Sequence, residues 1–185
     1  MTTAQLTRAD VQRSVNEARA KGERPDLPNL DLSDLDLRNL DLRCVDLIGA
    51  DLRDTNLRDT NLDGANLSGA DLYEANLDGA NLSGADLAGA NLHGASWDGL
   101  VLDGLHRYRC LLIPTPDGWV TEIGCWSGTV SELRELIAGD DWPESGDEDQ
   151  ERLRPLLRLW CDLADAHANS RPYVIPDLAK RWGES

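Results

Sequence analysis

Acidic side chains at a fixed spacing are the groups in this sequence with the clearest capacity for chemistry. Rows of carboxylates attract cationic groups, and two close carboxylates can share acid–base work when their pKa values differ. Asp31 and Asp51 are a candidate catalytic pair in principle, but nothing in the sequence separates their pKa values. Six residues that recur at twenty-residue intervals are the candidate partner-binding site: Asp31, Asp51, Asp71, Asp34, Asp54 and Glu74.

Other reactive side chains do not form recognisable motifs. His93, His106 and His167 are far from any nucleophile elbow, phosphate loop or metal-binding pattern. The four cysteines show no Cys-x-x-Cys pair, and no calcium-binding Asp-x-Asp-x-Asp-Gly loop occurs. The sequence therefore predicts no catalytic residues, no metal site and no cofactor. A minor alternative is an enzyme that uses His106 or His167.

The element that positions the carboxylates is a repeat of five residues. Sixteen uninterrupted pentapeptides cover residues 25–104, and fifteen of their sixteen central residues are Leu. In fourteen units the residue before the centre is Asp or Asn. A period of five matches neither a helix nor a strand, and regular self-similarity indicates a solenoid whose units bury their apolar sides by stacking.

One unit, residues 65–69, illustrates how the period folds. Gly69 occupies the second central position of a type II turn, where a positive φ favours Gly, Asn or Asp. A short extended segment and a turn make one side of a square, so four units make one coil of twenty residues. Leu67 and Ala65 then point inward, and the sixteen units give about four coils stacked about 4.8 Å apart.

The motif Ala-(Asp/Asn)-Leu-x-Gly at residues 65–69, 80–84 and 85–89 closely resembles the pentapeptide repeat family. The resemblance implies an all-β solenoid, a right-handed quadrilateral β-helix. Quinolone-resistance members of that family resemble DNA and bind DNA gyrase or topoisomerase IV in its place. This chain is only distantly similar to them, because it contains no Phe and continues for eighty residues beyond the repeat.

Both ends of a solenoid need covering, because they expose apolar side chains and unpaired backbone. We predict three parts: an N-terminal capping helix in residues 1–24, the β-helix in residues 25–105, and a small C-terminal α/β cap of hairpin and helices in residues 106–185. Thr7 is the expected N-cap of a helix over residues 7–21. Large residues are expected to fill the end layers of the repeat: Leu30, Leu35, Leu40, Val45, Leu100 and Leu105.

In the C-terminal part, segments 108–113 and 119–126 are expected to form a hairpin. A two-residue turn at Asp117 and Gly118 would place Cys110 opposite Cys125, whereas a bulged turn would shift that register by one residue. Two helices are predicted, one from Thr129 to about Ala138 and one over residues 151–168. The acidic run 140–151 between them is expected to be a solvated loop.

Charge decides the functional hypothesis. The net charge is −16, and the repeat carries sixteen acidic and four basic residues. When the chain is folded at twenty residues per coil, the six candidate residues share one face, opposed only by Arg53, and Asp26, Asp46 and Asp86 lie on the preceding face. The other two faces show Asn56, Asn61, Asn76 and Asn81 where these show Asp, together with Arg38, Arg43 and Arg58.

Such a surface repels nucleic acid and anionic membranes and attracts a basic protein. We therefore predict a cytoplasmic, non-catalytic binding protein, an acidic DNA mimic whose partner is DNA gyrase, another type II topoisomerase or another DNA-binding protein. The alternative is an interaction scaffold that acts through its C-terminal cap without DNA mimicry. No signal-peptide h-region and no membrane-spanning apolar stretch is present in the sequence, and the sequence leaves the oligomeric state open.

Overall fold

Residues 6–105, 108–123, 126–139 and 147–183 are described by a computed structural model of the chain. They belong to two compact units, Met1–Trp97 and Asp98–Ser185. The first unit contains helix α1 (Arg8–Ala20) and the repeat. The second contains strands β1 (Leu100–Leu105), β2 (Tyr108–Thr115), β3 (Gly118–Ile123) and β4 (Trp126–Gly128) and helices α2 (Val130–Ala138), α3 (Asp147–Ser170) and α4 (Val174–Trp182).

Backbone hydrogen bonds between residues about twenty apart hold the repeat together. Parallel bridges link each Asp or Asn before a centre to the residue twenty positions later, from Asp26 with Asp46 to Asn76 with Ser96. In a typical link, the Leu32 amide donates to the Asp51 carbonyl at 2.8 Å. A separation of twenty is the one expected when four pentapeptides make one circuit.

The fourteen pentapeptides of residues 25–94 each end in a tight turn with one residue in the left-handed region. At Gly69 φ is +66°, and the Ala70 amide donates to the Leu67 carbonyl at 3.0 Å, as the type II turn requires. Short polar side chains tolerate this conformation better than most residues, which explains the Asn and Asp at several corners. Seven non-glycine residues adopt it: Asn29, Asp34, Asn39, Cys44, Asp54, Asp59 and Glu74.

The interior of the repeat is a column of leucines with small residues between them. Leu67 and Ala65 are buried, as predicted, and so are Val45 and Leu40 in the first layer. Leu30 and Leu35 are half-buried. Thr55 and Thr60 replace Ala at two inward positions and are buried, and their hydroxyls donate to the carbonyls of Leu32 and Leu37 at 2.8 and 2.9 Å, so neither buried hydroxyl lacks a partner.

Helix α1 packs on the first layer of the repeat. Thr7 caps it in a capping box with Asp10, and Val11 and Val15 are buried, as the sequence predicts. Arg8 and Arg19 donate to the backbone carbonyls of Asp36 and Arg43 at 2.9 and 3.0 Å. In later layers the corresponding carbonyls accept from the layer before, so the two arginines supply the donors that the first layer would otherwise lack.

The second unit contains an antiparallel sheet with the order β1-β2-β3-β4. The sequence places residues 100–105 in the repeat, but the structure places them in β1, which pairs with β2 so that Leu100 faces Leu112. Leu100 packs against the hydrophobic core of this unit. The predicted boundary of the repeat at residue 105 therefore differs from the structure, because a Leu-Val-Leu segment suits a strand as well as a pentapeptide.

The hairpin turn follows neither of the two registers that the sequence left open. Thr115 faces Gly118, so the two turn residues are Pro116 and Asp117. The Thr115 hydroxyl donates to the Gly118 carbonyl at 2.8 Å, and Pro at the first central position has the φ that this turn needs. Cys110 consequently faces Ile123. The predicted partner Cys125 lies outside the described residues.

Three helices complete the second unit. Thr129 and Glu132 form the predicted capping box of α2. Helix α3 begins at Asp147, so residues 147–151 of the expected acidic loop are helical, while residues 140–146 lie outside the described part of the chain. Helix α4 was not predicted. Trp160 is fully buried in α3, and its indole N–H donates to the Thr121 hydroxyl at 2.8 Å.

The leucine column sets the stability of the repeat. Leu67→Ala removes a fully buried side chain, so we expect the free energy of unfolding to fall by about 2–5 kcal/mol. Urea denaturation followed by circular dichroism measures the change. Ile48→Ala is the matched control, because Ile48 is 40% exposed on the same repeat, and it should change the free energy by less than about 0.5 kcal/mol. Equal losses would contradict this account of the core.

Candidate functional site

The Asp and Asn side chains before each centre have a structural task. In thirteen successive units, from Asp31 to Asn91, the side-chain oxygen Oδ1 accepts a hydrogen bond from the backbone amide two residues later, at 2.9–3.2 Å. This amide is the first in the turn. Asp and Asn therefore recur because each offers a short acceptor that satisfies it.

The task requires an acceptor oxygen but no charge. Asp46 accepts from the Ile48 amide at 3.0 Å, and Asn66, twenty residues later, accepts from the Ser68 amide at 3.1 Å. The two residue types do the same structural work at equivalent positions. The distribution of Asp and Asn over the faces of the repeat is consequently not dictated by the fold, and Asp→Asn substitution alters charge while it preserves the turn.

The structure brings the six candidate residues together in two columns. Parallel bridges join Asp31 to Asp51 and Asp51 to Asp71, and we call these three residues the inner column. The amides of Asp34, Asp54 and Glu74 donate to the carbonyls at positions 53, 73 and 93, and we call these three residues the corner column. Each residue of the corner column lies three positions after its counterpart in the inner column.

Arg53 neutralises part of the inner column. Its guanidinium holds both carboxylate oxygens of Asp51, with Nε 2.8 Å from Oδ1, and Nε lies 3.8 Å from Asp71 Oδ2. The hydrogen bonds from Arg53 lower the pKa of Asp51 and raise the pKa of Arg53. Asp51 therefore presents no free carboxylate. Within the described residues, Asp31 and the whole corner column have no ion-pair partner.

An aromatic pair lies on the same face. The rings of Tyr73 and His93 stack with centroids 5.6 Å apart and planes 3° from parallel. A hydrogen bond with Glu74 and the charge of Asp54 raise the pKa of Tyr73, which places its phenol beside the corner column. The sequence analysis located His93 at a corner but missed this pair. The spacing of twenty was the available signal, since it puts the two rings in one column.

Several carboxylates on the other faces are paired with arginines. Arg38 holds Asp36, and Arg43 holds Asp41, through bidentate hydrogen bonds of 2.6–2.9 Å. These bonds lower the pKa of each carboxyl to about 2. Asp41 also binds Arg19 of α1 at 3.1 Å. These paired carboxylates differ from the corner column, which has no ion-pair partner among the described residues.

The two histidines named as alternative catalytic residues have different outcomes. His167 uses both ring nitrogens, because Nε2 lies 2.8 Å from the Asp98 carbonyl and Nδ1 lies 3.2 Å from Arg171. His106 lies outside the described residues. In the described ranges, no three His, Cys, Asp or Glu side chains are arranged to hold a metal ion. None of the helices described is long and apolar enough to cross a lipid bilayer.

A stack of pentapeptides bonded at twenty-residue intervals is the structure of a solenoid repeat protein. The family model of pentapeptide repeats matches residues 31–69 and 65–96, with eight copies. The chain belongs to the pentapeptide repeat family. The family's right-handed β-helix type of fold follows from this membership.

Several solved structures are similar to the repeat. The pentapeptide repeat protein alr5209 of Nostoc Pcc 7120 is 41% identical over 46% of this chain and 74% of its own, with a TM-score of 0.29. Rfr23 of the cyanobacterium Cyanothece 51142 is 35% identical over 40% of this chain, with a TM-score of 0.22, and the chain spans only 60% of its length.

The plasmid-mediated fluoroquinolone resistance protein QnrB1 matches more weakly, at 17% identity over 42% of this chain and 69% of its own, with a TM-score of 0.16. No curated protein matches the chain significantly. The family assignment rests on the repeat model and on the more similar sequences.

The pairing of Asp41 gives a pH-dependent stability. Its pKa in the folded chain is about 2, below the ordinary 3.8, so its ionised form stabilises the fold above about pH 4. That contribution is lost as the pH falls from about 4 through 2. Wild type should therefore be more stable than Asp41→Asn in urea denaturation at pH 7, and the difference should vanish near pH 2.

Asp46→Asn is the control for this measurement, since Asp46 has no arginine partner among the described residues. Its difference from wild type should be smaller at pH 7. A difference for Asp41→Asn that persists unchanged at pH 2 would contradict the ion-pair explanation.

Proposed function

We propose that the repeat, as a capped right-handed quadrilateral β-helix of about four coils, is a non-catalytic binding element whose acidic face mimics DNA. Its partner is a basic, DNA-binding protein, with a type II topoisomerase as the specific candidate. The observation that carries the proposal is the corner column of Asp34, Asp54 and Glu74, which has no compensating cation among the described residues. Asp31 and Asp71 of the inner column add carboxylates beside the corner column.

The spacing of the carboxylates supports mimicry. Residues in one column of a paired backbone are about 4.8 Å apart, so two adjacent columns present about one carboxylate per 2.4 Å of axis. Double-stranded DNA presents one phosphate charge per about 1.7 Å of axis. A groove lined with Lys and Arg would therefore meet a charge density of the same order on either surface. With three residues a column, the mimicked segment is short.

The fold does not require negative charge at these positions, and this also supports a functional role for the charge. Asn satisfies the turn amides as well as Asp does, as it does at Asn56 and Asn76 on the neighbouring face. Close carboxylates repel one another, although solvent and salt weaken the repulsion between exposed groups. A basic partner would relieve that repulsion, and its arginines and lysines would gain charge-assisted hydrogen bonds.

The acidic preference can be tested without disturbing the fold. The corner variant, which combines Asp34→Asn, Asp54→Asn and Glu74→Gln, removes three charges at positions that already hold polar side chains with positive φ. We expect binding to the partner to weaken by between about 3-fold and 100-fold, since each of the three exposed contacts contributes about 0.2–1 kcal/mol. Wild-type binding should also weaken as salt rises. Calorimetry or surface plasmon resonance measures both effects.

A matched control removes the same number of charges elsewhere. Glu17→Gln, Asp63→Asn and Asp78→Asn lie on α1 and on the other faces of the repeat. This variant should bind within about twofold of wild type if the corner column is the site. Equal weakening by both variants would mean that binding depends on the net charge of the chain and not on the corner column. Unchanged binding by the corner variant would favour the alternative scaffold, which acts through the C-terminal unit.

The identity of the partner needs a separate assay. DNA gyrase supercoiling is measured with increasing amounts of the chain, and inhibition or protection by the wild type but not by the corner variant is expected. Supercoiling that is untouched by a large molar excess would reject the topoisomerase version. A pull-down from a bacterial lysate at low salt, eluted at high salt, would then identify another basic partner. That partner should bind the wild type and not the corner variant.

A further inference from the structure

Helix α3 carries a second apolar stripe in addition to the one that faces its own core. Its core side consists of buried residues, including Leu157, Trp160 and Ala164. Leu159 and Leu163, four positions apart, lie on another side and are 63% and 42% exposed. Exposed Pro155 and Ala166 extend the same side of the helix. Large leucines at helical spacing on a charged protein indicate an interface rather than a solvated surface.

Charged residues along the edge of this stripe alternate in sign. Arg158 is exposed and has no ion-pair partner among the described residues. Asp162, one turn later, accepts from Arg134 of α2 at 2.9 Å, and its side chain remains 67% exposed. The edge thus presents a cation near the middle of the stripe, followed by a carboxylate with unused acceptor capacity.

We propose that α3 is a self-association surface that binds α3 of a second copy of this chain in antiparallel orientation. A two-fold axis between Leu159 and Leu163 places each of these leucines against the other leucine of the partner copy. The same axis places Arg158 of each copy beside Asp162 of the other. An isologous interface of this kind is self-complementary in both apolar contact and charge.

The charge pattern identifies the occupant as a second copy in this orientation. In a parallel two-fold arrangement, the edge that carries Arg158 and Asp162 would face the opposite edge of the second copy's stripe, so neither ion pair would form. The antiparallel arrangement instead brings Arg134, Asp162 and the second copy's Arg158 together, and the two symmetry-related groups lie on the same side of the leucines. The surface is small compared with the interface of a stable dimer, so the self-association is reversible and dependent on concentration.

The experiment is sedimentation velocity on the full chain across a range of concentrations. Wild type should change from monomer to dimer between about 1 µM and 1 mM. Leu159→Glu should weaken dimerisation by about 100-fold, since the symmetric interface loses two buried leucines. Tyr173→Glu is the matched control, because Tyr173 is equally exposed at 63% but belongs to the turn before α4. It should leave the dimer intact.

A charge exchange tests the orientation. Arg158→Glu alone and Asp162→Arg alone each oppose like charges in the homodimer and should weaken it. An equimolar mixture of the two variants should restore dimerisation. In that heterodimer the introduced carboxylate meets the introduced guanidinium in one ion pair, and the native Arg158 and Asp162 meet in the other. Circular dichroism checks that each variant is folded.

Three results would overturn the proposal. The first is a wild-type chain that stays monomeric at about 1 mM, the upper end of the range in which a weak interface still associates. The second is dimerisation that Leu159→Glu does not weaken. The third is a mixture of the charge variants that associates no better than either variant alone, which would mean that the stripe binds something other than an antiparallel second copy.

Discussion

The repeat depends on one constraint: every pentapeptide must present the same backbone donors and acceptors as the pentapeptides stacked above and below it. The bridges at twenty-residue spacing satisfy one set of these groups, and the Asp or Asn side chain before each centre satisfies the first amide of the turn. A unit that lost either partner would leave polar backbone unpaired next to a column of buried leucines, which is costly. This requirement explains why the sequence repeats every five residues.

The same constraint separates structure from surface chemistry. The turn needs an oxygen at Oδ1 and is indifferent to charge, so Asp and Asn can be exchanged without loss of the hydrogen bond. What differs is the potential that the outer surface presents. Where Arg follows Asp by two residues, as in Arg38 and Asp36, the pair is closed and nearly neutral. At the corner column no such arginine follows, and the negative potential is left for a partner.

The first unit could be predicted in detail because each pentapeptide contains its own evidence. The second could not, because its register depends on a choice between neighbouring residues. Pro116 with Asp117 and Asp117 with Gly118 are both plausible turns, and the choice moves every cross-strand pair. Leu100 and Leu102 continue the period of five, yet they pair with β2. In the site, the sequence placed Arg53 on the acidic face but did not determine which carboxylate it would hold, since that depends on side-chain reach.

The contact between α1 and the first layer has a consequence for how copies of this protein can assemble. A solenoid end is a strand edge whose free carbonyls could accept amides from another chain and so extend the stack. Arg8 and Arg19 bind the carbonyls of Asp36 and Arg43, and guanidinium groups offer no acceptor in return. At these two positions the ladder therefore ends in a side-chain cap that offers an incoming strand no acceptor, which opposes the growth of fibres from that end.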